Sequence, residues 1–316
     1  MAQPILSQAI FQDKDKAREF LESIIWPDGP VCPHCGQSER IYTLKGKAHR
    51  EGLYKCGKCR KQFTVTVGTL FEKSKIPLNI WLQAAYYMCA SKKGVSSHQL
   101  HRMLDVTYKT AWFMTHRLRE AMKDPVFQST YRKLGGNGKV VEADETYWGS
   151  KWTVKERKMR RKAGLGGPRG TDHKQKIFSL VERGGDVHSF HVPFVTRTTL
   201  APIMRQQIQQ DTHICTDEWG AYKRSGQYFT SHQSVQHKHG EYARGPIHTN
   251  TIENYFSILK RGLVGTFHHV GARHLKRYIG EFDFRYNNRK VDDLERTGRA
   301  LTGIAGKRLF YSKVVG

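Results

Sequence analysis

The sequence predicts an α/β protein in three parts: a small cysteine-bearing β module, a helical segment and a larger α/β domain. Three observations lead there. Cys-x-x-Cys pairs occur at Cys32/Cys35 and Cys56/Cys59, residues 76–123 read as successive helices, and strand-like and helix-like segments alternate from residue 140. The corresponding domains are 1–72, 73–134 and 135–316.

The charge narrows the class of partner. The chain has 316 residues, enough for a sizeable core, and carries 53 Lys and Arg against 28 Asp and Glu, a net charge of +25. Such an excess repels itself unless a polyanion is the intended partner, and a ribosome, an anionic membrane surface or DNA would each satisfy it. Hydrophobic residues at 38% exclude a disordered chain. The first ten residues lack a basic stretch leading into an apolar core, so no signal peptide is expected. No run approaches the roughly 18 apolar residues of a membrane span.

Residues 8–26 suggest an amphipathic helix ending near Trp26-Pro27. The Cys32-Pro-His-Cys35 and Cys56-Gly-Lys-Cys59 knuckles are separated by 20 residues, the spacing of a zinc ribbon in which four thiolates hold Zn²⁺ tetrahedrally. Arg40–Leu44 and Gly52–Cys56 alternate as hairpin strands do, and 61–67 reads as a third strand. Redox cysteines are the competing reading, but they do not explain two pairs inside a basic hairpin. His34 and His49 are surplus to a four-cysteine site, and the ribbon suits a DNA contact or a protein contact equally.

Pro77–Ala90 reads as a buried helix with Cys89 in its core. Gly94-Val-Ser-Ser supplies a helix entry capped by Ser96 or Ser97. Gln99–Leu104, a break at Asp105-Val-Thr-Tyr and a helix from Lys109 have helix–turn–helix spacing. If the second helix enters a major groove, Lys109, Thr110, Phe113, His116, Arg117 and Arg119 become candidate DNA contacts. Helical hairpins of this size also occur as plain structure. Gly135-Gly-Asn-Gly reads as a linker.

Beyond it, Val140–Trp148 is a first strand bearing Asp144. Ile177–Glu182 and Val187–Val195 flank an Arg183-Gly-Gly-Asp turn, and Leu200–Gln209 is a helix. His213–Asp217 is a fourth strand ending in an acid, with Cys215 in its core, and Tyr228–Val235 a fifth. In Thr249–Leu263 the apolar residues Ile252, Phe256, Leu259 and Leu263 form a helical stripe, with Glu253 and Lys260 projecting together from its flank. A plain Glu–Lys surface pair is the bland account of that flank. Glu142 and Glu145 flank Asp144 and alternate in face, so at most a subset of these acids shares one site. His248, His268 and His269 are candidate phosphate contacts or proton carriers. Residues 151–176 hold ten Lys or Arg, including Arg160, Arg161 and Lys162, against Glu156 and Asp172 alone, a composition suited to DNA phosphate.

Asp144, Asp217 and Glu253, the last two separated by 35 residues, together with Lys260, resemble the DDE signature of transposases. The strings His248-Thr-Asn-Thr-Ile-Glu-Asn, Leu-Lys-Arg-Gly, Gly265-Thr-Phe-His-His-Val and Glu281-Phe-Asp-Phe-Arg-Tyr-Asn-Asn-Arg289 are similar to those of bacterial insertion-sequence transposases of the ISXO type, relatives of the eukaryotic Merlin elements. The similarity extends over nearly the whole chain.

It implies an RNase H-like core whose first and fourth strands lie side by side, bringing Asp144 and Asp217 together. It also implies two Mg²⁺ or Mn²⁺ ions held by Asp144, Asp217 and Glu253, with Lys260 on a phosphate. The implied reaction is cleavage at the ends of an insertion sequence followed by strand transfer into target DNA. Implied partners are double-stranded element ends and target, bound by a homodimer in the cytoplasm at the nucleoid. Some members of the group use Asn at the third acidic position, which keeps Asn254 beside Glu253 as a candidate. A superfamily nuclease or resolvase without strand transfer, and a DNA-binding regulator with an inactive core, remain the alternatives.

Overall fold

The computed structural model describes residues 4–123, 133–149, 158–159, 161–164, 173–218, 220, 222, 225–235 and 243–315. Its contacts divide the chain into two compact units, Met1–Asp124 with Gly265–His268 and Asn288–Gly316, and Pro125–Val264 with His269–Asn287. The division departs from the linear boundaries expected from sequence. The ribbon, the helical segment and the end of the chain share the first unit.

In that unit the N-terminal helix is two helices, α1 (Ala9–Gln12) and α2 (Lys14–Ile25). Asp13 interrupts the run because its carboxylate accepts from the Asp15 and Lys16 amides, a cap that starts α2 afresh. The antiparallel strands β1 (Ile41–Thr43), β2 (Tyr54–Cys56) and β3 (Gln62–Phe63) follow. The first two are as the alternation predicts, whereas the third, expected over 61–67, is only two residues long because the chain turns at 65–68. Helices α3 (Leu78–Ala90), α4 (Ser97–Leu104) and α5 (Tyr108–Met122) come next. Ser96 caps α4, Asp105 ends it in the left-handed conformation, and Thr107 caps α5. A three-residue turn thus joins the two helices, with the expected spacing.

The second unit is built on a mixed five-stranded sheet. Its strands are β4 (Val140–Trp148), β5 (Gln175–Glu182), β6 (Val187–Val192), β7 (His213–Thr216) and β8 (Ser231–Ser234), in the order β6-β5-β4-β7-β8. The first three pair antiparallel; β4 pairs parallel with β7, and β7 parallel with β8. The adjacency of the first and fourth strands expected from the family resemblance is therefore present. Alternation gives the central strand two faces. Val141 and Ala143 pack with Phe178, Leu180 and the apolar side of α6 (Arg197–Gln207), including Leu200 and Met204. Glu142 and Asp144 point to the other face.

A short hairpin, β9 (Ala243–Arg244) and β10 (Ile247–His248), leads into α7 (Asn250–Gly265), and α8 (Ala272–Asn287) follows. The stripe Ile252, Phe256, Leu259 and Leu263 is buried in α7 as the spacing predicts. Each such side chain contributes roughly 1.5–3 kcal/mol on burial. A buried polar cluster ties both helices to β6: the Tyr255 hydroxyl donates to Asp283, and Asp283 also accepts from the Ser189 amide and hydroxyl at 2.9 and 2.8 Å. Helix α9 (Asp293–Thr302) and the short α10 (Ser312–Val315) belong to the first unit.

The expected Gly135 linker is an anchored turn instead. Gly135 donates to Glu182 at 2.8 Å and Gly136 to Thr212 at 2.9 Å. Gly135 has φ +85°, and a Cβ there would meet Thr212 Oγ1 at 2.1 Å, so close packing as well as backbone conformation demands glycine.

Candidate metal centres and nucleic-acid surface

The four ribbon cysteines converge. Their sulfurs all lie within 4.8 Å of one another, with Cys32–Cys59 and Cys35–Cys56 each at 3.6 Å. A tetrahedral Zn–S length near 2.3 Å requires sulfurs about 3.8 Å apart, so the quartet has the dimensions of a zinc site. Amide groups of Cys59 and then Lys58 lower the Cys56 thiol to about 7. Cys35, against the Gln37 amide, is pushed up to about 11 by burial and by hydrogen bonds with the other three thiols, so the metal-free quartet ionises at Cys56 first. Trp26, Tyr54 and Phe63 pack around the cluster in edge and stacked contacts that shield it on one side. His34 and His49 are exposed.

The carboxylates gather differently. The β4–β7 register, Val140 opposite His213 through Ala143 opposite Thr216, brings Asp144 and Asp217 to the ends of adjacent parallel segments. Burial raises the Asp144 carboxyl to about 8, and the charges of Glu145, Asp217 and Glu253 add to the rise, against the Glu145 amide that donates to it at 2.7 Å. Among the described residues, only the thiols form a His, Cys, Asp or Glu group with all ligand atoms within 4.8 Å. The acids are near enough to oppose one another's ionisation and are spaced more widely. Such a cluster is costly unless protonated or neutralised by a cation, and all-oxygen donors suit a hard divalent ion. The donor set therefore fits Mg²⁺ or Mn²⁺.

Glu253 and Lys260 both lie exposed on α7, and Thr249 donates to Glu253 at 2.8 Å. Asn254 is exposed too. The two flanking glutamates have separate partners. Glu145 accepts from the buried Tyr222 hydroxyl at 2.6 Å; burial raises its carboxyl, the Tyr222 hydrogen bond lowers it and Asp217 raises it. Although it is on the opposite face by alternation, its charge still bears on Asp144. Glu142 is fully buried and bound to the start of α7, an engagement that strand alternation alone does not reveal.

The proposed DNA contacts on α5 divide. Lys109 and Thr110 lie at its outer start, Lys109 exposed with its Nζ 4.8 Å from the Tyr311 ring. Arg117 is half-buried, its guanidinium 4.5 Å from the Phe113 ring. Arg119 and His116 are completely buried, and the Arg119 guanidinium stacks 5.1 Å from Phe267. A side chain so enclosed does not reach a phosphate at the surface, so Arg119 and His116 belong to the core instead. In the basic insertion Arg161 and Lys162 are exposed, whereas Arg160 lies outside the described residues.

A tetrathiolate module and an acid-bearing α/β domain on a chain of net charge +25 are the parts of a zinc-ribbon transposase. Residues 133–287 match the family model of the ISXO2-like transposase domain, and residues 12–62 match the transposase zinc-ribbon domain. The chain belongs to the insertion-sequence DDE transposases of this type. An uncharacterized protein in transposable element ISH50 of Halobacterium salinarum is 29% identical over 282 residues, covering 87% of this chain and 91% of that protein. An uncharacterized transposase-like protein of Haemophilus influenzae is 29% identical over 105 residues, 33% of this chain and 84% of that protein. Among the described residues no helix is long and apolar enough to cross a membrane.

Proposed function

We propose that the chain cleaves the ends of an insertion sequence and joins them to target DNA, using Asp144, Asp217 and Glu253 to hold two Mg²⁺ or Mn²⁺ ions in an RNase H-like core. The observation that carries this is the β4–β7 register, which sets Asp144 beside Asp217, and the raised Asp144 carboxyl, set by burial and by the charges of Glu145, Asp217 and Glu253, accords with it. The strand order, with β4 beside β7, accords with the same core. Ions held by Asp144, Asp217 and Glu253 would ease deprotonation of a water, the nucleophile for a phosphodiester, and would offset charge building on the phosphate. The protein holds the reacting ends in line, so Asp144 and Asp217 serve from the sheet and Glu253 from α7. Lys260, two turns along α7 from Glu253, holds a phosphate near the cleaved end. Lys109, Thr110, Arg117, Arg161 and Lys162, with Arg160 of the insertion, bind duplex phosphate. The cysteine quartet Cys32, Cys35, Cys56 and Cys59 holds a structural Zn²⁺. The protein works as a homodimer on double-stranded DNA in the cytoplasm, at the nucleoid.

The test is incubation of purified protein with labelled element-end DNA, target DNA and Mg²⁺ or Mn²⁺. Nicked and joined products are expected. Nicks without joining would favour a nuclease, and tight binding without either product a DNA-binding regulator.

A further inference from the structure

Glu142 stands two residues before Asp144 on the same face of β4, yet its carboxylate is turned away from open solvent and is fully buried. It accepts from the Ile252 amide at 2.9 Å, from the Thr251 hydroxyl at 2.9 Å and from Arg183 Nε at 2.6 Å, with His248 Nδ1 at 3.3 Å. An ionised carboxylate offers about four lone-pair directions, so these neighbours leave little capacity for a metal ion. Ile252 is in the first turn of α7, where backbone amides lack helical partners, and an anion there is favoured by the helix dipole. The cap of α7 is thus supplied by a strand more than a hundred residues upstream.

The same group is braced from behind. Arg183 leaves β5 just past its end and uses its other nitrogens on Pro246 O at 2.6 Å and His248 O at 2.8 Å. The β9–β10 hairpin, the start of α7 and β4 therefore meet at one carboxylate. The covalent path from this junction to the site is short at both ends. Asp144 is two residues from Glu142, and Glu253 directly follows Ile252.

We propose that Glu142 is a positioning residue for the candidate two-ion centre: by binding the first turn of α7 to β4 it holds Glu253 near Asp144, where the two can close on a shared divalent ion. The proposal rests on the three-carboxylate reading given above. It assigns Glu142 neither to metal ligation nor to the reaction, and it treats the Arg183–Glu142–Ile252 linkage as the strut between two ligands on different elements.

The experiment is a Mn²⁺ titration of the full, DNA-free chain, with unbound Mn²⁺ followed by electron paramagnetic resonance and the thermal midpoint recorded in parallel. The zinc of the ribbon stays in place. Glu142→Gln keeps volume and removes charge; a folded variant is expected to bind Mn²⁺ about 10–100-fold more weakly, the usual effect of losing a group that orients metal ligands. A lowered midpoint with unchanged Mn²⁺ affinity would show a purely structural role and overturn the proposal. If Glu142→Gln does not fold, Thr251→Val decides: removal of one hydrogen bond is expected to weaken Mn²⁺ binding by about fivefold, and unchanged affinity overturns the idea. Asp144→Asn and Glu253→Gln run beside it as controls. Wild-type affinity in both controls would overturn the three-carboxylate reading itself, whereas weakening in the controls with none in Glu142→Gln overturns only the strut.

Discussion

The two candidate metal centres are assembled in opposite ways. The thiolate quartet comes from two knuckles within 28 residues, Cys32 to Cys59, and from strands that pair with their sequence neighbours. The carboxylate cluster comes from β4, the end of β7 and α7, and spans 110 residues from Asp144 to Glu253. The first is a local construction whose loop closes at little entropic cost; the second depends on a whole sheet and a helix docked to it. The contrast extends to charge. Thiols held near 3.6 Å already match a tetrahedral ion, whereas burial, with the charges of Glu145, Asp217 and Glu253 added, raises Asp144 to about 8. One centre should act as a folding element and the other as a working site that the rest of the fold holds under strain of charge.

That contrast can be broken first at the acids. Asp144→Asn, Asp217→Asn and Glu253→Gln should each lower cleavage and joining roughly a thousand-fold or more, since each removes a ligand charge from the transition state. Binding of labelled end DNA, measured by gel shift, should stay within a few-fold. Near-normal activity of Glu253→Gln together with a dead Asn254→Ala would move the third ligand by one residue.

The thiolate side should fail in the other manner. Cys32→Ser or Cys59→Ser should release zinc and melt residues about 30–70, because a structural site contributes folding energy outright. Amide exchange should show protection lost across β1–β3 and retained in β4–β7. Metal analysis that finds no zinc in protein purified without chelators would remove the basis of the comparison.

A third measurement sharpens the electrostatic half. Burial raises Asp283 to about 7, outweighing its hydrogen bonds from Tyr255 and Ser189. The folded chain therefore binds this proton more tightly than the unfolded chain, whose value is 3.8. Its stabilising contribution is full below about pH 4 and is lost as pH rises through about 7. Asp283→Asn should flatten the fall in thermal midpoint over that window by several degrees; an unchanged slope would assign the pH dependence elsewhere.

Smaller effects are expected at the surface. Neutralising Arg160, Arg161 and Lys162 together should weaken unrelated and cognate duplex alike and reduce the salt slope by up to about 3. Loss confined to cognate ends would show that these residues read sequence. Lys260→Ala should cost about tenfold in cleavage, a lost phosphate contact without loss of an ion. Asn254→Ala should leave activity almost unchanged.

Much of this molecule was legible in one dimension. The Cys-x-x-Cys spacing predicts the ribbon because its geometry is nearly all local, and alternation around Asp144 predicts β4 to the residue. The stripe from Ile252 to Leu263 likewise names the buried side of α7, since helical period and burial are both short-range properties. Asp105 and Thr107 mark the turn between α4 and α5 through side-chain and backbone chemistry that needs no distant partner.

What only the tertiary structure decided lies where partners are far apart in the chain. The anchoring of Gly135 depends on Thr212 and Glu182, and the burial of Arg119 depends on Phe267, residues no pattern links to them. The return of α9 and α10 to the first unit also escapes a linear boundary, because contact follows complementary surfaces instead of chain order. Glu142 shows the limit most clearly. Sequence places it on the face of Asp144, while its work as the cap of α7 comes from a helix whose first turn lacks local acceptors and meets a buried anion on β4. Periodicity states which way a side chain points; only the packed chain states what it meets there.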